Sequence, residues 1–134
     1  ILQDDPIMTR LQPVPQAGAR SRVLSHAVAE TARRLEIGPT DLGKIIGISQ
    51  PVASRLLQGN YSIKEGSKEW ELAALFVRMY RGLHSIVGNN DELAKNWLRS
   101  SNRAFGDQES IDVIRKVQGL VHACEYIDAH RAPV

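Results

Sequence analysis

Residues 41–59 constrain the fold more than any other stretch of this chain, because they predict two short helices joined by a tight turn. The first helix carries an apolar stripe and ends at Gly47, where a helix C-terminus often needs a left-handed residue. Ser49 is a favourable N-cap for the next helix, and Pro51 fits a first helical turn, where its missing N–H has no intrahelical partner. The residues expected to face inward are Leu42, Ile45, Ile46, Ile48, Val52, Ala53 and Leu56.

The second helix leaves a polar face directed outward, which is the pattern of a helix-turn-helix whose second helix enters the DNA major groove. Gln50 could pair with a base edge, and Arg55 could read guanine or hold a phosphate. The predicted DNA-binding residues are Lys44, Ser49, Gln50, Ser54 and Arg55. The alternative is an ordinary helical hairpin whose polar face is simply solvated.

Charge is distributed unevenly along the chain, although the net charge is only +2. Residues 20–64 hold seven Lys and Arg against three acids, whereas residues 89–134 hold six against seven. The basic excess favours DNA contact in the first segment, but such an excess is also common on ordinary surfaces. One recognition helix buries only about 600–1,000 Å². We therefore expect a homodimer on a two-fold operator, with half-sites about 34 Å apart or a multiple of it.

The pattern along the chain predicts an all-α protein in three parts. Residues 1–20 are rich in Pro and Gln and predict an extended arm, residues 21–66 the helix-turn-helix region, and residues 67–134 a helical C-terminal domain. A long helix capped by Ser67 is apolar nearly all round and should form the buried spine. Asn90 and Ser110 are the expected caps of the two remaining helices, with a polar loop at 100–109 between them.

Other chemistries find little support in the sequence. Gly38–Lys44 imitates a phosphate-binding loop, but Ile45 stands where Ser or Thr must bind the metal, and Pro39 removes a backbone donor. The four histidines show no metal-ligand spacing, and Cys124 falls in an apolar stripe. We therefore expect no enzyme activity and no cofactor. The lone cysteine suits a reducing cytoplasm, and no apolar run is long enough to span a bilayer.

The C-terminal half carries several short motifs in a recognisable order. They are Asn96–Arg99, Ser101-Asn102, Phe105-Gly106, Ser110–Ile114, Gly119–Val121 and Tyr126-Ile127, preceded by the Leu75–Gly88 helix with Tyr80-Arg81. Together they resemble the toxin-binding domain of the Xre/MbcA/ParS antitoxin family, over roughly residues 20–130. The family often has Pro at the start of the last helix, where this chain has Ser110, which is also a good N-cap.

This resemblance implies a bacterial type II antitoxin with a Cro/repressor-like helix-turn-helix, in which residues 67–134 form a helical dimerisation and toxin-binding domain. The implied partner is a RES-domain toxin, which attacks NAD or uses it to modify a target, and whose active site the antitoxin covers. The implied second role is binding of its own operator DNA. A plain dimeric repressor, and a nucleotide binder acting through Gly38–Lys44, remain the alternatives.

The region after the fifth predicted helix supplies the candidate toxin contacts. Trp97 and Phe105 are better explained as rings that pack the last helices together. The predicted toxin-binding residues are Arg99, Asn102 and Arg103 around the loop, and His130 and Arg131 in the tail 128–134. A cationic tail of this kind could reach into a site that normally holds phosphates.

Overall fold

The computed structural model describes residues 18–131 and folds them into seven α-helices and one very short β-hairpin. The helices are α1 (Ala19–Arg34), α2 (Pro39–Ile46), α3 (Gln50–Leu57), α4 (Lys68–Ile86), α5 (Asp91–Arg99), α6 (Ser110–Ile114) and α7 (Val117–Arg131). The strands β1 (Ser101–Asn102) and β2 (Gln108–Glu109) pair antiparallel around a 3₁₀ turn at Arg103–Phe105. The predicted all-α class is therefore confirmed, with the hairpin as an addition that the sequence pattern missed.

The turn between α2 and α3 is built as the sequence predicts. Gly47 adopts a left-handed φ of 78°, and its N–H and that of Ile48 both donate to the Gly43 carbonyl at 2.9 Å. Ser49 caps α3, since its Oγ accepts a hydrogen bond from the Val52 N–H at 3.3 Å. A Cβ at Gly43 would lie 2.6 Å from the Ile48 carbonyl oxygen, so the close return of the chain depends on this glycine.

Helix α4 is the spine of the molecule, and α1, α2, α5 and α7 all pack against it. Its N-cap is Ser67, whose Oγ accepts from the Trp70 N–H at 3.1 Å. Buried α4 residues join the inward faces of the other helices in one continuous core. The α4 members of that core are Ala73, Phe76, Val77, Met79, Tyr80 and Leu83.

A polar cluster joins α1, α4 and α5 at one end of the core. The Tyr80 hydroxyl donates to the Asp91 carboxylate at 2.9 Å, and the same carboxylate lies 3.3 Å from His84 Nε2 and 3.6 Å from Arg34. Burial is the largest cause that raises the pKa of Tyr80, followed by its hydrogen bond to Asp91. The phenol therefore stays neutral and ties the N-terminal helices to the start of the C-terminal part.

The C-terminal part departs from the predicted single final helix. The chain forms α6, turns at Arg115-Lys116, and begins α7 at Val117. Ser110 is the first residue of α6 rather than its N-cap, and its fully buried Oγ has no hydrogen-bond partner within the described residues. The change of direction leaves Val117 and Val121 exposed, although both belong to a series of apolar residues at helical spacing that runs from Val113 to Ile127.

Two predicted segments fall wholly or partly outside the described residues. Most of the arm at 1–20 lies there, except that Ala19 and Arg20 form the first residues of α1. The last three residues of the tail, 132–134, also lie outside. No helix within residues 18–131 is long and apolar enough to cross a membrane.

Candidate partner-binding surfaces

The outward side of α3 carries the predicted DNA-binding residues. Lys44, Ser49, Gln50 and Arg55 are exposed, and Ser54 is half-buried. Ser49 Oγ accepts the cap hydrogen bond from the Val52 N–H. Gln50 is the first residue of α3, and its side chain makes no hydrogen bond with any described residue. This surface, which we call the α3 face, offers one amide and two cationic groups to a partner.

Arg55 is positioned by an aromatic ring that the sequence pattern did not single out. Its guanidinium carbon lies 6.0 Å from the centroid of the Tyr61 ring, at the edge of cation–π range. Tyr61 also lines a cleft of about 290 Å³ between α1 and the end of α3, together with Arg22, His26 and Arg33. The i, i+4 spacing of Arg22 and His26 on α1 was the available signal for this second basic surface.

Arg33 and Arg34, the last two residues of α1, are engaged within the fold. Arg33 donates to Glu30 at 2.8 Å and to the Leu57 carbonyl at 3.4 Å, while Arg34 donates to Glu30 at 3.2 Å. The hydrogen bonds from Arg33 and Arg34 to Glu30 hold the pKa of the Glu30 carboxyl below its usual range. Both arginines therefore order the end of α1 against α3 and α5 in addition to contributing positive charge.

A second surface, which we call the aromatic face, lies where the β-hairpin meets α7. Phe105 is buried beneath it and makes edge-to-face contacts with His122 and Tyr126, at centroid distances of 5.2 and 5.4 Å. His130 continues the row one turn further, with its ring 4.2 Å from that of Tyr126. Residues 122, 126 and 130 follow the i, i+4 spacing that aligns side chains along one side of a helix.

The aromatic face is supported from behind by α5. Trp97 packs edge-to-face on Phe105 at 6.1 Å, as expected for a ring that holds the last helices together. A cavity of about 300 Å³ opens beside Phe105, between the hairpin, α6 and α7. Its walls carry Gln108, Asp112, Lys116 and Gln118 as well as apolar groups, so the aromatic row has a polar rim.

The five predicted toxin-binding residues do not form one cluster. Arg103 is exposed in the 3₁₀ turn that carries Phe105, and His130 lies on the aromatic face. Asn102 stands at the start of that turn, and its side-chain oxygen caps it by accepting from the Ala104 N–H at 2.9 Å. Arg99 donates to the Glu36 carbonyl at 3.1 Å, in the loop that follows α1, while Arg131 lies on the opposite side of α7 beside Gly82.

His122 and Tyr126 were missed as surface residues by the sequence reasoning. Their only signal was the four-residue spacing with His130, which becomes informative once Phe105 is known to pack beneath them. The predicted assignment of Cys124 to the core is confirmed, since its side chain is buried and burial raises the pKa of its thiol. Within residues 18–131 no group of three or more potential metal ligands lies together.

The Gly38–Lys44 segment has the geometry of a helix rather than of a phosphate loop. Gly38 is the N-cap of α2 and Pro39 is its first residue, and the preceding element is α1, not a strand. A phosphate loop needs a glycine-rich backbone that wraps around the anion after a strand. The structure therefore gives no support to the nucleotide-binding alternative at this segment.

Comparison with known families gives a match to the segment that forms the aromatic face but not to the α3 face. Residues 83–132 match the family described as the antitoxin Xre/MbcA/ParS C-terminal toxin-binding domain. The match begins in the last turn of α4 and continues through the hairpin, α6 and α7. No curated protein matches the chain.

The aromatic face therefore lies within the segment that matches a toxin-binding domain of antitoxins. Residues 83–132 are similar to the Xre/MbcA/ParS family, which is the family that the sequence motifs resemble. The helices α1, α2 and α3 lie outside the matched segment.

Proposed function

We propose that this chain is the antitoxin of a RES-domain toxin and that it neutralises the toxin by covering its active site. The observation that carries the proposal is the toxin-binding domain at residues 83–132. A RES-type partner is what the sequence resemblance implies for antitoxins of this family. The reaction concerned is the consumption or transfer of NAD by the toxin, and the antitoxin contributes only a blocking surface.

The aromatic face and the adjoining Arg103 are the proposed contact. Trp, Tyr and Arg are enriched among the residues that dominate the energetics of protein interfaces. Aromatic rings in particular bury a large area at a small cost in side-chain entropy. Tyr126 is already held by Phe105 and His130, so little rotamer freedom remains to be lost on binding. The tail beyond His130 would extend this contact toward the toxin active site.

Co-expression with the toxin encoded next to this chain tests neutralisation directly. The complex is purified and assayed for NAD consumption, and Tyr126→Ala, His130→Ala and Arg103→Ala are expected to release toxin activity. Glu125→Ala is the matched control, because Glu125 is exposed on α7 outside the aromatic row. If no partner co-purifies and added antitoxin leaves toxin activity unchanged, the chain is a plain dimeric repressor and not an antitoxin.

The contribution of the tail is tested separately by deletion of residues 129–134. Loss of neutralisation with retained binding is expected if the tail enters the active site. Unchanged neutralisation would remove His130 from the proposed contact and leave Arg103 and Tyr126.

We also propose that the α3 face binds the operator of the antitoxin's own gene, as a homodimer. The support is an exposed amide and two exposed cations on and beside a correctly capped short helix. Gln50 would contact a base edge and Arg55 a guanine or a phosphate, while Lys44 would contact a phosphate of the DNA backbone. A toxin-bound assembly would bring several α3 faces together and so raise the affinity for a two-fold site.

Titration of the upstream DNA at several salt concentrations tests this second role. Gln50→Ala should relax sequence preference at one base pair, at a cost of about 1–3 kcal/mol. Lys44→Ala should weaken binding to all sequences and lower the salt slope by about one unit. Lys68→Ala is the control cation, and equal losses for Lys44→Ala and Lys68→Ala would refute a contact specific to the α3 face.

A further inference from the structure

A large groove lies on the side of the described structure opposite the aromatic face. It encloses about 610 Å³ between the start of α1, the outer side of α4 and the end of α7. Its floor is apolar, and Val23 in it remains 71% exposed, the highest value among the exposed large hydrophobic residues. The apolar floor residues are Val23, Leu24, Ala27, Trp70, Ala74 and Val77. We call this site the arginine groove, because four guanidinium groups surround that floor.

The rim of the arginine groove carries an excess of positive charge. Arg20 pairs with Glu65, and Arg78 pairs with Asp128. Arg81 and Arg131 also line the groove, and neither makes a salt bridge with any residue in the range 18–131. An occupant of this groove should therefore present apolar side chains to the floor and carboxylates to the rim.

Residues 1–17 of this chain have that chemistry. They include six large aliphatic residues: Ile1, Leu2, Ile7, Met8, Leu11 and Val14. Their two acids, Asp4 and Asp5, outnumber the single Arg10, and Pro6, Pro13 and Pro15 favour an extended backbone. Such a segment offers apolar side chains without needing regular secondary structure of its own.

The segment also enters the described structure at the edge of the groove. Gly18 precedes α1 with a left-handed φ of 85°, and Ala19 and Arg20, which follow it, both line the cavity. Seventeen residues in a polyproline-like conformation reach about 50 Å. That is longer than α4, which rises about 28 Å over its length, so the segment can follow the whole groove.

We propose that residues 1–17 fold back into the arginine groove of their own chain, with Asp4 and Asp5 at the Arg81 and Arg131 guanidinium groups. A second copy of the chain is a poorer occupant, because a symmetric contact would bring two rims of arginines together at a Coulombic cost. The two sides of α7 then have different roles. Its aromatic side is left open, while Arg131 on the other side holds the N-terminal segment.

Quenching of Trp70 fluorescence by acrylamide tests the proposal in the full chain. Trp97→Phe leaves Trp70, in the groove floor, as the only tryptophan. We expect the quenching constant to rise when residues 1–17 are deleted, and to rise equally when Ile7, Met8 and Leu11 are replaced by serine. Replacement of Gln3, Thr9 and Gln12 by serine is the matched control and should leave the quenching constant unchanged.

The groove side is tested with Val23→Ser, an exposed position where the substitution leaves the core intact. Val23→Ser and the triple serine replacement should have non-additive effects on Trp70 quenching, because each removes the same contact. Asp4→Asn with Asp5→Asn should give a smaller rise, which high salt reproduces in the parent chain. Each variant is first shown to unfold cooperatively in urea.

Three results would overturn the proposal. One is equal quenching of Trp70 with and without residues 1–17. Another is a sedimentation mass that falls from dimer to monomer on Val23→Ser irrespective of those residues, which would assign the groove to a second copy. The third is protection of Trp70 that arises only when a toxin is added and is independent of the segment.

Discussion

Two turns of this molecule each support one of the proposed partner-binding surfaces, and the two turns are stabilised in different ways. The turn between α2 and α3 is held by contacts among residues 43–53: two backbone hydrogen bonds to Gly43, one serine cap and one left-handed glycine. The turn that carries Phe105 depends on rings from α5 and α7 that are distant in sequence. The first surface is therefore a local product of the chain, whereas the second exists only when the C-terminal helices are packed.

The two surfaces also differ in chemistry. The α3 face presents an amide and cations, which suit phosphates and base edges. The aromatic face presents a row of rings, which suits a protein partner. Loss of core packing should consequently affect toxin binding before it affects the local geometry of α3.

The largest effect is expected for Phe105→Ala, which removes the ring beneath the aromatic face. Deletion of a buried phenylalanine costs about 3–5 kcal/mol of unfolding free energy. The urea midpoint should fall accordingly, and toxin binding should be lost at temperatures where the variant remains folded. Val117→Ala on the exposed side of α7 is the control, with a change within about 0.5 kcal/mol.

Glycine substitutions compare the two turns directly. A Cβ at Gly119 would lie 1.9 Å from the Val113 carbonyl oxygen, against 2.6 Å to the Ile48 oxygen at Gly43. Gly119→Ala should therefore destabilise the chain by about 1–3 kcal/mol or more. Gly43→Ala should cost less, because its Cβ overlaps less with the neighbouring carbonyl oxygen, while alanine recovers up to about 1 kcal/mol of helix propensity at either position. Gly38→Ala, with no atom within 4 Å of the added Cβ, is the control.

Removal of the α3 cap should have a smaller, local effect. Ser49→Ala eliminates the hydrogen bond to the Val52 N–H and is expected to cost about 1 kcal/mol. Amide hydrogen exchange should increase in α3 and remain unchanged in α7. An equal increase in both helices would mean that the two regions open as one unit, and that the contrast between them is structural but not energetic.

Ser110→Ala should not lower the stability of the chain, in contrast to Ser49→Ala. The Ser110 Oγ is buried without a hydrogen-bond partner in the described part of the chain, so its removal should be neutral or stabilising by up to about 1 kcal/mol. Ser110→Pro should be less favourable than Ser110→Ala, because proline suits the first position of α6 but removes the N–H that donates to the Ser100 carbonyl at 3.4 Å. A destabilisation by Ser110→Ala as large as that by Ser49→Ala would show that this hydroxyl is satisfied after all.

The smallest effect concerns the exposed ion pairs that join the end of α1 to its neighbours. The Lys95 ammonium lowers the pKa of Glu36, and hydrogen bonds from Arg33 and Arg34 lower that of Glu30. Since both pKa values are lower in the folded state, the stabilisation is present above the unfolded pKa of about 4.3 and is lost as pH falls through the folded values. Urea midpoints at pH 7 and pH 3 should converge in Glu30→Gln/Glu36→Gln. If the double variant loses stability at acid pH as steeply as the parent chain does, these ion pairs are not the source of the pH dependence.

The sequence by itself determined the elements whose signals are local. The stripe, glycine, serine cap and proline of residues 42–52 predicted α2, α3 and their turn, and Ser67 and Asn90 were correctly predicted as caps. The order of short motifs after residue 95 predicted the toxin-binding family, which the match at residues 83–132 confirms. These features survive in sequence because each depends on residues only a few positions apart.

Only the tertiary structure decided what lies around Phe105 and which residues share a surface. The break between α6 and α7 depends on the close approach of Gly119 to Val113, and the periodicity of the apolar residues continues through it and hides it. The same packing separates Arg99 and Arg131 from Arg103 and His130, although the four lie within 33 residues. Helical periodicity gives the side of each helix that is buried, but contacts between helices distant in sequence decide which exposed sides form one surface.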